Sequence, residues 1–492
     1  MMSDKKTNLV IVFADQMRAH QLGFLGLEPV ITPNLDKFSE ESLVLTQAAA
    51  NFPVCSPFRA MLMTGKYSLS NKVTSNCTNR SEPYNCELQE SEVCWSDVLK
   101  QQGYSLGYIG KWHLDSPKAP YIDCSNNHGE VKWNEWCPPN RRHSFDFWYS
   151  YGTYDQHLNP MYWDNDAGRE EFKYVDQWGP EHEADMAIEY LKNTDGTYRD
   201  ADRPFAMVVS MNPPHTPYTQ VPVKYVKMYD HLDVEDLCKK PSVSEKGTEW
   251  GDFFRENLIN QYGMVTGVDE QFGRIMAALE EQNLAENTIV LFTADHGDCV
   301  GVHGHHHKNI EYEESMRIPF LIRWPDKIKP RQDDLLISVP DYYPTLLDLM
   351  GCKNAITEDV EGQSFAEYFM GGNGDTPKSQ LYCFLKYDAP EYGKRGVRTH
   401  THTLTIDLYP DMENDFVLFD NVNDPYQMEN VASKNKELIK QLISDELVPW
   451  LTKSKDPWLG HIDGLLKKMD ENWEKLSAGF SDKAIERVRP FA

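Results

Sequence analysis

Asp15-Gln16, Lys111-Trp112-His113, His215 and Asp295-His296 each close a short, largely apolar run, and Cys55-Ser56-Pro57-Phe58-Arg59 opens a stretch of helical character. Side chains of these kinds could hold a metal and move a tetrahedral anion. Asp15, Gln16 and Asp295 offer hard oxygen ligands suited to Ca²⁺ or Mg²⁺. His296 adds a nitrogen, which widens the choice toward Mn²⁺ or Zn²⁺. Arg59, Lys111 and Lys308 supply local positive charge. Transfer of a tetrahedral anion needs a nucleophile, cationic clamps on the oxygens that stay, and an acid for the leaving group. A lone Asp at a strand end is usually a helix cap, and a lone His usually a hydrogen-bonding residue. The coincidence of several such strand ends with a cysteine at a helix start is what points to a site.

The elements that must position these residues follow from the patterning. Residues 9–14 read as a buried strand, and in an open parallel sheet the site lies at the carboxyl ends of the strands. Thr32-Pro33-Asn34 opens a helix. Pro57 suits a first helical turn and Gly65 a helix stop, so Cys55 and Ser56 sit at a helix N-terminus, where free N–H groups favour an anion. Helices are expected at 91–102, 181–192, 252–283 and 341–350, and strands at 104–110, 204–211, 288–294 and 318–324. This alternation predicts an α/β fold with a large, mostly parallel sheet sandwiched by helices. Residues 115–178 are aromatic, polar and aperiodic, and read as a substrate-facing insert over the face of the sheet. After Gly371-Gly372-Asn373-Gly374 the texture changes. Period-2 stretches over 381–420 predict a smaller antiparallel sheet, followed by helices. The boundary is placed at 372, giving a catalytic domain at 1–372 and a C-terminal subdomain at 373–492.

The chain's 492 residues are too many for one ordinary core. With 49 basic against 76 acidic residues the net charge is -27. That repels a polyanion at long range and excludes general nucleic-acid binding, though not a small anion held at a locally positive site. No apolar run approaches the roughly 18 residues of a membrane span. Met1 to Asn8 leaves no room for a signal peptide of about 15–30 residues. The expectation is a cytoplasmic chain, or a periplasmic or secreted one trimmed of its leader. The ten cysteines do not set the compartment. Cys77, Cys86 and Cys94 are spaced too widely for a Cys-x-x-Cys knuckle.

Cys55-Ser56-Pro57-Phe58-Arg59, followed by Ala60-Met61-Leu62-Met63-Thr64-Gly65, resembles the signature of the type I sulfatases of the alkaline phosphatase superfamily. The resemblance spans most of the chain. Phe13-Ala14-Asp15-Gln16, Gly110-Lys111-Trp112-His113, Pro214-His215-Thr216-Pro217, Thr293 to Asp298, Lys308 ahead of Tyr312 to Pro319, and Leu418-Phe419-Asp420 through Asp424-Pro425 all resemble family motifs. The resemblance implies that Cys55 is oxidised to formylglycine by a maturation enzyme. The hydrate would supply one hydroxyl to attack sulfur and a second to release the sulfate. It further implies that Asp15, Gln16, Cys55 as formylglycine, Asp295 and His296 hold one divalent ion, by family most often calcium. Lys111 and Lys308 would clamp sulfate oxygens, Arg59 would orient position 55, His113 would contact the nucleophile, and His215 would protonate the leaving oxygen. Departures from the family pattern are Phe58, where many members carry a small residue, and Gln16 and His296, where others carry Asp and Asn.

The insert bears on the substrate. Aromatic faces suit sugar rings, and Arg suits carboxylates or further sulfates. Arg141, Arg142, His143, Tyr154 and His157 are candidates there, beside Trp133, Trp136, Trp148 and Trp163, and Arg395, Arg398 and His400 form a second set in the small sheet. Many of the insert's aromatics could equally be core under a long loop. The combination favours a sulfated mono- or oligosaccharide and resembles bacterial glycan sulfatases. Two other readings remain: a phosphonate or phosphate ester hydrolase of the same superfamily, and a sulfoglycan-binding protein whose Cys55 is never modified.

Overall fold

The computed structural model describes residues 6–410 and 412–480. The main sheet comprises β1 (Asn8–Asp15), β2 (Leu43–Leu45), β3 (Ser105–Lys111), β4 (Phe147–Tyr151), β5 (Phe205–Pro214), β6 (Thr288–Ala294), β7 (Phe320–Arg323) and β8 (Arg331–Asp333). Their spatial order is β8-β2-β7-β6-β1-β5-β3-β4. β1, β5 and β6 are buried along their whole length and take the centre, as apolar strands covered on both faces must. β1 pairs in parallel with β5 and β6, and Ala14 lies opposite both Met211 and Ala294. The loaded strand ends therefore emerge side by side. The strand expected at 318–324 forms as β7 but runs antiparallel to β6 and β2.

Three helices matter for the site. α1 (Cys55–Thr64) has Pro57 in its first turn and ends on Gly65, whose φ of +66° suits glycine and whose N–H donates to the Met61 carbonyl. α2 (Gly179–Lys192) and α3 (Glu249–Glu281) pack on one another and on β5. Gly110 closes the approach of β3 to β5. Its φ is +94°, and a Cβ there would lie 2.1 Å from the Ser210 carbonyl oxygen. Only glycine delivers Lys111 to the sheet centre along this path.

The insert differs from the expectation of a loop over the sheet face. Residues 147–151 form β4, an edge strand of the main sheet, parallel to β3. Trp148, Tyr149, Tyr151, Tyr162 and Trp163 are buried. Five strand residues with aromatics on both faces show no usable period, which is why the sequence hid them.

β9 (Ser379–Lys386), β10 (Ala389–Thr399), β11 (His402–Leu408) and β12 (Phe416–Asp420) form the separate antiparallel sheet, in that order. One apolar cluster runs without a break from the main sheet into this one. The Cys383 N–H donates to the Asn51 carbonyl at 2.8 Å across the junction. No helix among the described residues is long and apolar enough to cross a membrane.

Glu183 on α2 is buried beside Gly110 and accepts from the Tyr162 and Tyr151 hydroxyls at 3.1 and 3.2 Å on one oxygen, while the other has no partner. Burial pushes its carboxyl from 4.5 up to about 8, against those two hydrogen bonds and Arg59. Between these values the folded chain keeps a proton that the unfolded chain has lost, so this group's contribution falls as pH rises from 4.5 to 8 and is flat above. Glu183→Gln should raise Tm relative to the parent by an amount that is small at pH 5 and grows toward pH 8. A gap that does not widen with pH contradicts the protonated carboxyl.

Candidate active site

Asp15 and Asp295 meet at the centre of the sheet's carboxyl edge, both fully buried. Arg59, one turn into α1, spans them, with Nη2 3.1 Å from Asp15 Oδ2 and 3.2 Å from Asp295 Oδ2. Its Nη1 donates to the Lys111 carbonyl and to Ser210 Oγ, and its guanidinium lies 4.9 Å from the Phe13 ring centroid. Lys111 Nζ is 2.6 Å from Asp15 Oδ2 and donates to Asn212 Oδ1 at 3.0 Å. Burial would raise the Asp15 carboxyl, but Lys111, His215 and His296 hold it well below the usual carboxylate range. Burial and the neighbouring Asp15 charge push Asp295 the other way, upward.

Cys55 Sγ faces this pair from the first residue of α1. It lies 3.7 Å from Asp15 Oδ1, 3.2 Å from His296 Nε2 and 3.9 Å from Lys111 Nζ. Burial alone would raise the thiol; Lys111, Lys308 and His296 outweigh it and hold the group well below its ordinary value. Ser56 Oγ donates to the His113 carbonyl at 2.7 Å, which ties the helix start to the end of β3. His113 has a φ of +51° and is buried, and Cys55 is the group its ring meets. Burial and the positive Lys111 and Arg59 lower its pKa to about 4, so the ring is neutral at physiological pH.

His215 follows β5. Its Nδ1 is 2.8 Å from the Thr216 carbonyl oxygen and 3.4 Å from Asp155 Oδ1. Burial, Lys308 and Lys111 lower its pKa, but Asp15 and Asp155 outweigh them and bring it up to about 9. Lys308 reaches in from the loop after β6 and donates to Gln16 Oε1 at 2.7 Å. Gln16 Nε2 donates to Asp298 Oδ2, which also accepts the Tyr218 hydroxyl.

The structure thus brings Asp15, Cys55, Arg59, Lys111, His113, His215, Asp295, His296 and Lys308 to one place. Gln16 also reaches it, but its amide is taken up by Lys308 and Asp298 and links the acidic pair to Lys308. Most of the substrate candidates are committed elsewhere, because a buried cation must be paired. Arg141 bonds Asp115 and the Leu88 carbonyl, Arg142 bonds the Cys137 and Asn165 carbonyls, and His143 faces Asp97. Arg395 pairs with Asp456 and Arg398 with Glu313. His400 is exposed and bonds the Asp334 carbonyl. Tyr154 and His157 brace the end of β5: the Tyr154 carbonyl accepts from Asn212, and His157 Nε2 lies 2.9 Å from the His215 carbonyl oxygen. The sequence reading missed Ser210 and Tyr218, and gave Asp155 only a place in the insert and Asn212 only a place at the strand end. Asn212 and Ser210 lie within or beside the strand end that carries His215, the one signal available.

The Sulfatase family model matches residues 7–352, and the model for the C-terminal region of N-sulphoglucosamine sulphohydrolase matches residues 301–452. An endo-4-O-sulfatase of Bacteroides thetaiotaomicron is 37% identical over 92% of this chain and 93% of its own length. A Formosa agariphila ulvan-active sulfatase is 32% identical over 87% of this chain and 78% of its own. A crystal structure from Bacteroides fragilis described as the sulfatase yidJ superposes with a TM-score of 0.90 at 50% identity, covering 94% of this chain and 99% of that one. The chain belongs to the sulfatase family, on the alkaline phosphatase superfamily fold, and is therefore a sulfuric ester hydrolase.

The residues present fit a divalent ion. Ligand atoms of Asp15, Cys55, Asp295 and His296 lie within 4.8 Å of one another. His296 Nδ1 lies 2.9 Å from the Gly297 carbonyl oxygen, which fixes the proton there and turns the Nε2 lone pair inward. They also fit a polar group at position 55: the buried His113 ring faces Cys55 and makes no other hydrogen bond among the described residues. A bound ion stabilises the fold by about 2.7 kcal/mol at a hundredfold excess over Kd. Thermal unfolding in millimolar calcium against a chelator should show a higher Tm with the metal, and Asp295→Asn should remove most of that difference. No shift in the parent, or an undiminished shift in the variant, contradicts this donor set.

Proposed function

We propose that this sulfatase cleaves a sulfate ester of a sugar alcohol, on a sulfated mono- or oligosaccharide. The observation that carries the reading is His215: its Nδ1 is taken up by the Thr216 carbonyl and Asp155, which leaves Nε2 to serve a leaving group. A sugar alkoxide is a poor leaving group and needs a proton as the S–O bond breaks, whereas a nitrophenolate does not. Trp133 supports the same class. It is half-buried, with its ring 6.3 Å from that of His113, and offers an aromatic face beside the reacting centre. The names of the relatives, an endo-4-O-sulfatase and an ulvan-active sulfatase, point the same way.

Each residue then has a part. Formylglycine at position 55, made by a maturation enzyme, supplies as its hydrate the nucleophilic oxygen and a route for releasing sulfate. A divalent ion, by family calcium, would be held by Asp15, Asp295 and His296, with Gln16 at its edge, and would supply positive charge beside sulfur. Lys111 and Lys308 hold the sulfate oxygens that do not leave, where developing charge needs fixed donors. Arg59 keeps Asp15 and Asp295 in place and orients the start of α1. His113, held neutral by burial and by Lys111 and Arg59, bonds the group at position 55.

Turnover of a panel of sulfated sugars, using protein coexpressed with a maturation enzyme, tests the class. Against the best substrate, His215→Ala should lower kcat by about 10²–10⁴. On 4-nitrophenyl sulfate the same variant should lose much less. Equal losses on both esters contradict the role of His215, and phosphate diesters turned over in preference to every sulfate contradict the substrate class.

A further inference from the structure

Asp155 lies in the insert, outside every motif that marks the centre, yet its Oδ1 faces His215 Nδ1 at 3.4 Å. Oδ1 is buried and no group but His215 meets it among the described residues. The other oxygen accepts from Asn126 Nδ2 at 2.9 Å, and the Asp155 N–H donates to Asn126 Oδ1 at 3.1 Å. Asn126 thus holds Asp155 by one carboxylate oxygen and by its backbone N–H, with the other oxygen toward the imidazole. A buried carboxylate oxygen without a donor is costly. The donor that faces it is a proton on His215 Nδ1, which the Thr216 carbonyl also calls for. The neighbours of Asp155 brace the same strand end, through Tyr154 O to Asn212 and His157 to the His215 carbonyl.

We infer that Asp155 is a positioning residue for the sulfate-transfer step: clamped by Asn126, it holds the proton on His215 Nδ1 and thereby leaves Nε2–H as the acid for the departing alcohol. This rests on the reading of His215 as that acid. As the S–O bond to the alcohol breaks, its electron pair goes to the leaving oxygen, which takes the Nε2 proton. His215 is left neutral with the proton still on Nδ1, and Asp155 stays ionised throughout. The direction of both groups agrees, since His215 holds Asp155 below the usual carboxylate range and Asp155 helps to raise His215. The insert, read from sequence as a substrate surface, thereby also supplies part of the machinery behind the acid.

Two readouts test this on the metal-loaded, Cys55-converted protein. The first needs no substrate. In histidine-selective ¹⁵N spectra, with His215 assigned through His215→Gln, the parent should show a protonated Nδ1 at His215, and Asp155→Asn should move that N–H resonance upfield. The second uses phenyl sulfate and 4-nitrophenyl sulfate. Asp155→Asn should lower kcat on the poorer leaving group by about 100-fold, the low end of what an acid supplies, and on the better one by less than about 3-fold. In a His215→Ala background the same substitution should add nothing, because it acts through the imidazole. An unchanged resonance, equal losses on the two esters, or a further loss in the double variant overturns the inference. The functional reading fails on its own test, when no sulfated sugar is turned over; if the parent turns over neither aryl ester, the resonance alone decides the role of Asp155.

Discussion

Two carboxylates, Asp15 and Asp295, are buried side by side at the middle of a parallel sheet, and everything around them answers that charge. Removing one partner from a buried ion cluster costs several kcal/mol, because the remaining charge has no water to turn to. Arg59 and Lys111 compensate from the protein side. The cations are in turn fixed by backbone and side-chain acceptors at Lys111, Ser210 and Asn212. The cluster is stable as built, yet it leaves carboxylate oxygens, the His296 lone pair and position 55 converging on one point. It is a scaffold whose remaining valence is aimed at a cation and a tetrahedral anion.

How this arrangement arises is plain from the sheet. Parallel strands end together at one edge, and α1 starts above that edge because Pro57 and Gly65 delimit it. Gly110 allows β3 to press against β5, so that a lysine follows directly at the crowded centre. The small C-terminal sheet takes part at a distance. Arg398 holds Glu313, and Lys394 holds Glu311, in the segment just beyond Lys308. The loop that brings Lys308 to the centre is thereby pinned from the other sheet.

Legibility in the sequence followed the range of the interaction. The strand ends, the helix start and the alternation of elements are local patterns; they singled out Asp15, Cys55, Lys111, His215 and Asp295, which the fold brings together. The edge strand β4 was not, since its aromatics face a core on both sides. Arg142, Arg395 and Arg398 looked like anion-binding groups because sequence shows a cation and not its partner; Asp456 lies 61 residues from Arg395 and Glu313 lies 85 from Arg398. The part Asp155 plays, within an insert read as substrate-facing, was hidden for the same reason. The residue reaches His215 across 60 residues of chain, through an insert with no period to place it.

The central claim is that position 55 is the reacting group and that this crowded, positively biased pocket exists to carry it. Peptide-mass analysis of the segment containing Cys55, from a host that carries the maturation enzyme, tests it most directly. The peptide should lose about 18 Da at Cys55 from conversion of the thiol to an aldehyde. An unshifted thiol from such a host would contradict it and leave a metal-bearing binder of sulfated glycans in its place.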